Sequence, residues 1–405
     1  MTVPPVARAA PPARCLTAAA PLYPEVGVLG LVPECWGGPW MPRHHVMSRL
    51  ARYFHVVWMD PTPGWREVWR SKVRGEAFPA APGFHHYQAP RWLPLFFRPR
   101  FLAELTARAR LRQAAALLRA RGCRRLVLYV WRPELGAALD QVRHDLSCYH
   151  IDDEYSFSDA ERPIDPAEAA LLARADQVII HSPALLEKKS TRDHRTAFVP
   201  NGVDYAAYAT QQPEPDDLRD IPHPRIGYVG MIKQQLDFRL LHALAEQHPA
   251  WNFVLVGPDH SLGDQAPLRA SLAQRANVAF LGGKPPAALP AYTQHLDVCL
   301  MCYRVNDYTK FIYPLKLHEY LAAGRPTVGA PIRTLRDFAH VVELAETPAE
   351  WSAAIARGLE REASTPERSE ARRAAARRHD WDQLVAQVAK LLAEKLGAPY
   401  AARFA

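Results

Sequence analysis

The segment from Thr309 to Pro331, TKFIYPLKLHEYLAAGRPTVGAP, contains the residues whose types and spacing best suit chemistry. Lys316 and Glu319 are three positions apart, so on a helix they share one face near its amino end. Helix amino termini bind phosphate through unpaired N–H groups, and a lysine there adds a full positive charge. A carboxylate such as Glu319 accepts hydrogen bonds from ribose hydroxyls. The same spacing also suits an ordinary surface ion pair, and spacing alone leaves both interpretations open.

The residues around this pair predict the limits of its helix. Pro314 suits the first helical turn, and Gly324 suits the position just past the end. Leu317, Tyr320 and Leu321 fall on another face, which we expect to pack on a core. The helix would therefore hold Lys316 and Glu319 in fixed positions near its amino terminus.

Short apolar runs that alternate with helical segments predict the surrounding architecture. Such runs are typical of parallel strands covered on both faces. Two series of them predict an α/β protein with two doubly wound, Rossmann-like domains that face each other across a cleft. Ligands of such domains collect at the carboxyl ends of the strands. The runs begin at Glu25, His55, Leu126, Cys148, Gln177 and Thr196, and then at Arg225, Trp251, Asn277, Asp297, Pro326 and Val341.

Composition predicts the domain limits. Residues 1–24 contain prolines and arginines but no acidic residue, and we expect this segment to be a disordered lead-in. Residues 25–210 then form the first domain, and residues 211–224, rich in Pro and Asp, form a linker. The second domain spans 225–380, followed by a C-terminal helix and tail at 381–405.

Overall composition excludes several protein classes. The chain has 405 residues, 48% of them hydrophobic, so it can build a core, and its 37 prolines against 20 glycines exclude a collagen-like chain. No apolar run approaches the roughly 18 residues of a membrane-spanning helix. The six cysteines are scattered, unlike the dense framework of a small secreted domain, and we expect a cytoplasmic protein. Cys299 and Cys302 match C-x-x-C, but an odd offset on a strand points the two thiols to opposite faces. We therefore expect buried structural cysteines and no metal site.

The segment from Thr309 to Pro331 resembles the donor-binding segment of retaining two-domain (GT-B) glycosyltransferases of bacterial polysaccharide and teichuronic acid synthesis, with its P-x-K-x-x-E-Y-x-A-x-G-x-P pattern. Other stretches resemble the same enzymes in the same order: WGGPWMPRHHVMSRLA, HIDDEYSFS, ARADQVIIHSPALLEKK, VPNGVD, RIGYVGMIKQQLDFRLL and NVAFLGGKPPAALPAYTQHLDVCL. The resemblance implies transfer of a sugar from a nucleotide diphosphate donor on the second domain to a lipid-linked or glycan acceptor on the first, without a metal or other cofactor. It assigns donor binding to Gly230, Lys233, Gly282, Lys284, Leu315, Lys316 and Glu319.

The chain departs from these enzymes at one position. Glu319 corresponds to the second glutamate of their E-x7-E motif, whereas the first would fall at Phe311. The identity of the sugar stays open for this reason, and so does a catalytically inactive relative of the enzymes.

Candidates for catalysis in the first domain are fewer. The Arg43-His44-His45 run begins a helix, and His44 could meet an acceptor or serve the structure of that helix. Asp153 ends a strand, where active-site groups gather, or caps the next helix. Arg132 follows another strand and faces the same cleft.

Positive charge is concentrated in one segment. Arg91 to Arg125 contains ten arginines and one acid, a net charge of +9, and because the whole chain carries +8, all other residues sum to −1. Arg108, Arg112 and Arg119 fall within an arc of about 40° on a helix. The aromatic side chains of Trp92 and Phe96 precede this helix, and together these residues predict contact with an anionic membrane surface. A solvated arginine-rich helix face is the alternative.

Two other functions stay open from the sequence. A sugar-nucleotide epimerase would have the same architecture, but it needs catalytic carboxylates in the cleft. A non-catalytic nucleotide- or nucleic-acid-binding protein would use the basic segment and stack bases on its aromatic residues. Because the rest of the chain is near neutral, the membrane interpretation is preferred to nucleic acid.

Overall fold

The computed structural model describes residues 19–38, 40–65, 81–96, 98–156, 158, 160–191 and 195–404. Its first sheet has seven parallel strands within these residues. They are β1 (Tyr23–Leu31), β2 (Phe54–Met59), β3 (Phe84–Tyr87), β4 (Arg125–Val130), β5 (Leu146–Ile151), β6 (Gln177–Ile180) and β7 (Thr196–Phe198). Their order along the sheet is β3-β2-β1-β4-β5-β6-β7.

The second sheet, also parallel, has six strands in the described part of the chain. They are β8 (Arg225–Val229), β9 (Asn252–Val256), β10 (Val278–Gly282), β11 (Val298–Met301), β12 (Thr327–Gly329) and β13 (Glu343–Leu344). Their order is β10-β9-β8-β11-β12-β13. Both sheets have the doubly wound order, in which the chain crosses over beside the domain's first strand. The predicted α/β architecture of two Rossmann-like domains is therefore confirmed.

Helices connect the strands. The α-helices are α1 (Pro42–Leu50), α2 (Arg100–Arg119), α3 (Pro166–Arg174), α4 (Pro183–Lys189), α5 (Tyr205–Ala209), α6 (Asp216–Arg219), α7 (Phe238–Gln247), α8 (Ala266–Leu272), α9 (Leu289–Gln294), α10 (Leu315–Ala322), α11 (Arg333–Arg336), α12 (Pro348–Leu359), α13 (Pro366–Arg377), α14 (Trp381–Leu396) and α15 (Ala398–Ala401). Short 3₁₀ helices lie at Pro133–Asp140, Gly263–Gln265, Pro286–Ala288, Thr309–Phe311, Arg361–Ser364 and Ala402–Phe404.

The interior strands are buried on both faces, as their continuous apolar runs predict. In β4, Val127 and Tyr129 belong to one apolar cluster, whereas Leu128 and Val130 belong to a second cluster on the opposite face. Each of the twelve apolar runs contains a strand. Strand β3, with sequence FHHY, was not predicted because two histidines interrupt its apolar residues.

The C-terminal helix α14 packs on the first domain, although it follows the second domain in the chain. Trp381, Leu384 and Val388 are buried in the same apolar cluster as Tyr23 of β1. At the start of this helix, Asp382 accepts a hydrogen bond from Arg49 Nε at 2.7 Å. The chain thus passes twice between the two domains, which limits how far they can separate.

The two cysteines of the C-x-x-C motif are structural. Cys299 and Cys302 are both fully buried free thiols, and burial raises the pKa of each to about 12. In the described ranges, no cluster of three or more His, Cys, Asp or Glu side chains is arranged to hold a metal ion. No helix among the same residues has the length and apolar character needed to cross a bilayer.

Candidate active site

The carboxyl ends of β8 and β9 meet at two glycines. Gly230 has φ +146° and Gly257 has φ +149°, values that favour glycine over any L side chain. A Cβ atom on Gly257 would lie only 1.9 Å from the carbonyl oxygen of Gly230. The two backbones therefore approach each other more closely than a side chain at Gly257 would permit.

Lys316, in the first turn of α10, lies over Gly230. A Cβ atom on Gly230 would lie 2.0 Å from Lys316 Cε and 2.3 Å from its Nζ. The Nζ atom also lies 5.1 Å from the centre of the Tyr228 ring. Burial lowers the pKa of Lys316 to about 8, although the Glu319 carboxylate opposes the shift and Lys233 adds to it. The ammonium group of Lys316, whose charge Glu319 offsets only in part, thus lies at the carboxyl ends of β8 and β9.

Glu319 lies beside Lys316 on the same face of α10, as the spacing predicts. Burial raises the pKa of its carboxyl group, and Lys316 and a hydrogen bond from the Tyr208 side chain on α5 oppose that shift. The helix itself is tied to β8, because the amide of Val229 donates a hydrogen bond to the hydroxyl of Tyr320 at 2.9 Å. These contacts fix Glu319 beside Lys316.

The ends of α10 differ slightly from the prediction. The helix begins at Leu315, and Pro314 is its N-cap residue with extended backbone. Gly324 follows the helix with φ +72°, as expected for the residue past its end. The side chain of Leu315 packs on the apolar cluster of the first domain. The structure therefore gives no support for a role of the Leu315 side chain in donor binding.

The loop after β10 contributes backbone at the same edge of the sheet. The carbonyl of Gly282 accepts a hydrogen bond from the amide of Gly257 at 2.9 Å. Lys284 forms an ion pair with Asp217 of α6 and lies 5.4 Å from the centre of the Tyr292 ring. Because its charge is already paired within the second domain, the structure gives no support for Lys284 as a donor ligand.

The first domain places Asp153 opposite the lysines. Asp153 follows β5, and the hydroxyl of Tyr308, from the second domain, donates to its Oδ1 atom at 3.0 Å. Burial and the neighbouring Asp152 raise the pKa of Asp153 to about 6, whereas Lys233 opposes the shift. Since Lys233 acts on both Asp153 and Lys316, these three predicted residues lie in one cleft between the domains.

Arg132 belongs to the same region. Its guanidinium group lies 4.7 Å from the centre of the Tyr155 ring, and its positive charge acts on Tyr308. The aromatic contact holds this arginine near Tyr308, which itself donates to Asp153. Tyr308 and Tyr208 both contact residues of the cleft, yet no spacing or motif in the sequence singled them out.

His44 is the candidate that the structure contradicts. Its ring is fully buried, with centroid distances of 5.4 Å to Trp36, 5.4 Å to Trp40 and 4.5 Å to Trp58. Its Nδ1 atom accepts a hydrogen bond from the amide of Met41 at 3.2 Å. Burial lowers the pKa of His44 to about 4. This histidine packs the start of α1 and has no access to a substrate.

Arg43, next to His44, connects the buried carboxylate of Asp152 with the partly exposed carboxylate of Glu34. Its guanidinium group is within 2.8 Å of Glu34 and within 2.8 Å of Asp152, and the residue is only 6% exposed. Asp152 immediately precedes Asp153, so this network fixes the backbone from which Asp153 projects. Arg43 thus has a positioning role in the fold.

Phe311, at the position of the missing glutamate, joins the two domains. Its side chain is 3% exposed and packs in an apolar cluster of the first domain. Close to it, the amide group of Asn201 donates to the carbonyl of Tyr313 at 2.8 Å. An apolar contact between domains has therefore replaced a carboxylate at this position.

Comparison with known proteins identifies similar sequences over part of the chain. Residues 223–361, which include Lys316 and Glu319, match the family model of glycosyl transferases group 1. A protein named as a teichuronic acid biosynthesis glycosyltransferase, TuaH of Bacillus subtilis (strain 168), is 34% identical over 239 residues. The match covers 56% of this chain and 59% of that relative.

Solved structures of glycosyltransferases share the whole arrangement of the two domains. Sucrose-phosphate synthase from Thermosynechococcus elongatus has a TM-score of 0.69 at 19% identity, with 91% of this chain and 98% of that one covered. Anabaena HepE, solved with UDP and glucose, has a TM-score of 0.62 at 16% identity, covering 91% and 99%. A UDP-forming trehalose-phosphate synthase from Burkholderia xenovorans has a TM-score of 0.63 at 14% identity, covering 92% and 100%. The chain therefore has the GT-B fold of these enzymes, and within its second domain residues 223–361 match the glycosyl transferases group 1 model.

Proposed function

We propose that this protein is a glycosyltransferase that takes a sugar from a nucleotide diphosphate donor bound to its second domain. The observation that carries the proposal is the position of Lys316 over Gly230, with Glu319 beside it and Lys233 nearby. The teichuronic acid enzyme of B. subtilis and the UDP-bound HepE structure support a donor of this class. In this arrangement the diphosphate would lie against Lys316 at the carboxyl ends of β8 and β9, and Glu319 would accept hydrogen bonds from the ribose.

The two lysines suit the leaving group of such a reaction. Negative charge develops on the departing nucleoside diphosphate as its bond to the sugar breaks, and fixed positive groups stabilise that charge. Lys316 and Lys233 supply them, together with the N–H groups at the start of α10. We propose that these groups perform the task without a metal ion.

We further propose that the anomeric configuration is retained. The bond between the anomeric carbon and the phosphate oxygen breaks, a bond to the acceptor oxygen forms on the same face, and the acceptor proton passes to the departing phosphate. This route requires no protein base, which is consistent with the exclusion of His44. Asp153 faces the same cleft and would orient the acceptor hydroxyl.

The acceptor is proposed to be a lipid-linked or glycan intermediate of a cell-surface polysaccharide, bound by the first domain at the membrane's cytoplasmic side. The named role of the B. subtilis relative supports this class. Asp153 and Arg132 lie on the first-domain side of the cleft, where such an acceptor would have to place its hydroxyl group.

The test is a turnover assay over a panel of nucleotide sugars, with release of nucleoside diphosphate as the signal. We expect at least one sugar nucleotide to be consumed, and we expect Lys316→Ala to reduce its turnover by at least about a hundredfold. Lys395→Ala, which removes an exposed lysine on α14, is the matched control and should leave turnover unchanged.

Two results would contradict the proposed function. Conversion of the sugar nucleotide to its epimer, without release of nucleoside diphosphate, would indicate an epimerase. Binding of a nucleoside diphosphate with no turnover of any donor, with or without acceptor extracts, would indicate a non-catalytic relative.

A further inference from the structure

The outer face of α2 combines bulky apolar side chains with arginines. Phe101 and Leu105 are 71% and 62% exposed in the first turns, and three exposed arginines follow on the same side. At 100° per residue, these five side chains fall within an arc of about 60°. We call this set the basic–apolar face, and its members are Phe101, Leu105, Arg108, Arg112 and Arg119.

The opposite side of α2 is anchored, so the basic–apolar face is held outward. Leu111 and Leu118 are buried against the first sheet. Arg110, only 3% exposed, donates hydrogen bonds to the carbonyls of Leu93 and Pro94 at 3.3 and 2.8 Å. These bonds tie the preceding loop to the helix, so the loop keeps a fixed position on the first domain.

That loop adds a third exposed apolar side chain. Trp92 is 72% exposed, which is unusual for a tryptophan. Phe96, predicted from the sequence to make the same contact, is half-buried. Phe101 and Leu105 are better exposed than Phe96, although the sequence pattern did not single them out.

The arginines of the face carry uncompensated charge. Among the residues that the structure describes, no carboxylate lies within ion-pair distance of Arg108, Arg112 or Arg119, and Glu104 is the one acid between Arg91 and Arg125. Positive charge held outward in this way is complementary to an anionic surface. The apolar groups lie at one end of the face, and the arginines extend along the helix. The face therefore suits a broad surface that has anionic groups on the outside and an apolar layer beneath them.

We propose that the basic–apolar face docks the first domain on an anionic lipid bilayer. Trp92, Phe101 and Leu105 enter the boundary between headgroups and acyl chains, while the arginines contact lipid phosphates. An aliphatic leucine at the tip fits a bilayer better than a nucleic acid, whose bases stack on flat aromatic groups. The proposal does not depend on the donor site, and its test does not use turnover.

The test is co-sedimentation with vesicles of phosphatidylcholine alone or with about one third phosphatidylglycerol. Each arginine near an anionic surface contributes a factor of roughly five in partitioning, so Arg108→Ala, Arg112→Ala and Arg119→Ala together should lower binding about a hundredfold. The matched control removes three exposed arginines of the second domain, Arg361, Arg368 and Arg378, and should bind as the wild type does. Serine at Trp92, Phe101 and Leu105 should abolish the binding that persists in 1 M salt, where charges are screened within about 3 Å.

Equal losses in the two arginine triples would overturn the proposal, because the effect would then follow net charge and not this face. Equal binding to neutral and anionic vesicles would overturn it as well. Tighter binding of a single-stranded oligonucleotide than of anionic vesicles, lost in the same triple, would replace the lipid surface with nucleic acid. Nucleoside diphosphate titrations and thermal melting of each variant show separately that the fold is intact.

Discussion

Lys316 makes the affinity for a nucleoside diphosphate depend on pH above neutrality. Burial holds the pKa of its ammonium group at about 8 in the free protein, well below the ordinary value for lysine. A diphosphate bound over Gly230 favours the charged ammonium group and returns the pKa toward or above its ordinary value. Binding above pH 8 must therefore take up a proton, and the affinity falls as the pH rises.

The size of the effect follows from the free-protein pKa of about 8. Between pH 7 and pH 9 the free lysine changes from about nine-tenths charged to about one-tenth charged, so the affinity should fall about tenfold. Proton uptake on binding should be about half a proton at pH 8 and about nine-tenths at pH 9. The terminal phosphate of the ligand loses its last proton near pH 6, about one pH unit below the range from pH 7 to pH 9. It therefore does not contribute to the change in affinity.

Isothermal titration calorimetry measures both quantities when each titration is repeated in buffers of different ionisation enthalpy. Lys316→Arg keeps the charge at every pH used and should show a flat profile, because arginine stays protonated in proteins. Lys395→Ala should keep the wild-type profile. A wild-type affinity that does not change between pH 7 and pH 9, or the same slope in Lys316→Arg, would refute the placement of the diphosphate against Lys316.

Three further substitutions test other parts of the structure. Gly230→Ala puts a methyl group where Lys316 lies, so nucleotide affinity should fall at least about tenfold in titrations. Gly122→Ala is the matched control: Gly122 also has a positive φ, +87°, but no atom lies within 4 Å of the added methyl group, so this variant should bind nucleotide normally. Arg43→Met leaves the buried carboxylate of Asp152 and the partly exposed carboxylate of Glu34 without their cation, and it should lower the free energy of unfolding by about 3–5 kcal/mol in urea denaturation. A loss under about 1 kcal/mol would show that the network contributes little. Tyr308→Phe removes a donor to the charged carboxylate of Asp153, so the pKa of Asp153 should rise above about 6 in a carbon-13 NMR titration, and an unchanged midpoint would contradict the contact. The pKa of Asp153 exceeds the ordinary value for aspartate, so protonation of Asp153 stabilises the folded protein. This stability is lost as the pH rises through about 6, and in Tyr308→Phe it should be lost at higher pH.

The sequence predicted the framework because the interior strands are buried on both faces and therefore consist of unbroken apolar runs. It also predicted the helix of Lys316 and Glu319, since proline and glycine mark its limits. It could not predict that α14 packs on the first domain. Periodicity shows that a helix has an apolar face, but nothing local to Trp381 or Leu384 tells which core that face will join.

The sequence predicted the charged residues of the candidate site better than it predicted the side chains around them. His44 has the chemistry of a catalytic group, and only the tertiary structure shows that three tryptophans enclose it. Lys284 likewise carries a free charge in the sequence and an ion pair with Asp217 in the fold. Tyr308 contacts Asp153 across the domain boundary, and such a pairing of residues 155 positions apart has no local pattern.

The position of the donor nucleotide beside Glu319 is the central claim, and calorimetric titration of ribonucleoside diphosphates tests it most directly. At least one of them should bind the wild type. Glu319→Ala should weaken this binding at least about tenfold, because a carboxylate that accepts hydrogen bonds from ribose hydroxyls is lost. Glu362→Ala, at an exposed position on the second domain, should bind as the wild type does, and the 2′,3′-dideoxy form of the ligand should bind the wild type and Glu319→Ala equally. Failure of every nucleoside diphosphate to bind, or equal affinity of the ribonucleotide for the wild type and Glu319→Ala, would contradict the account.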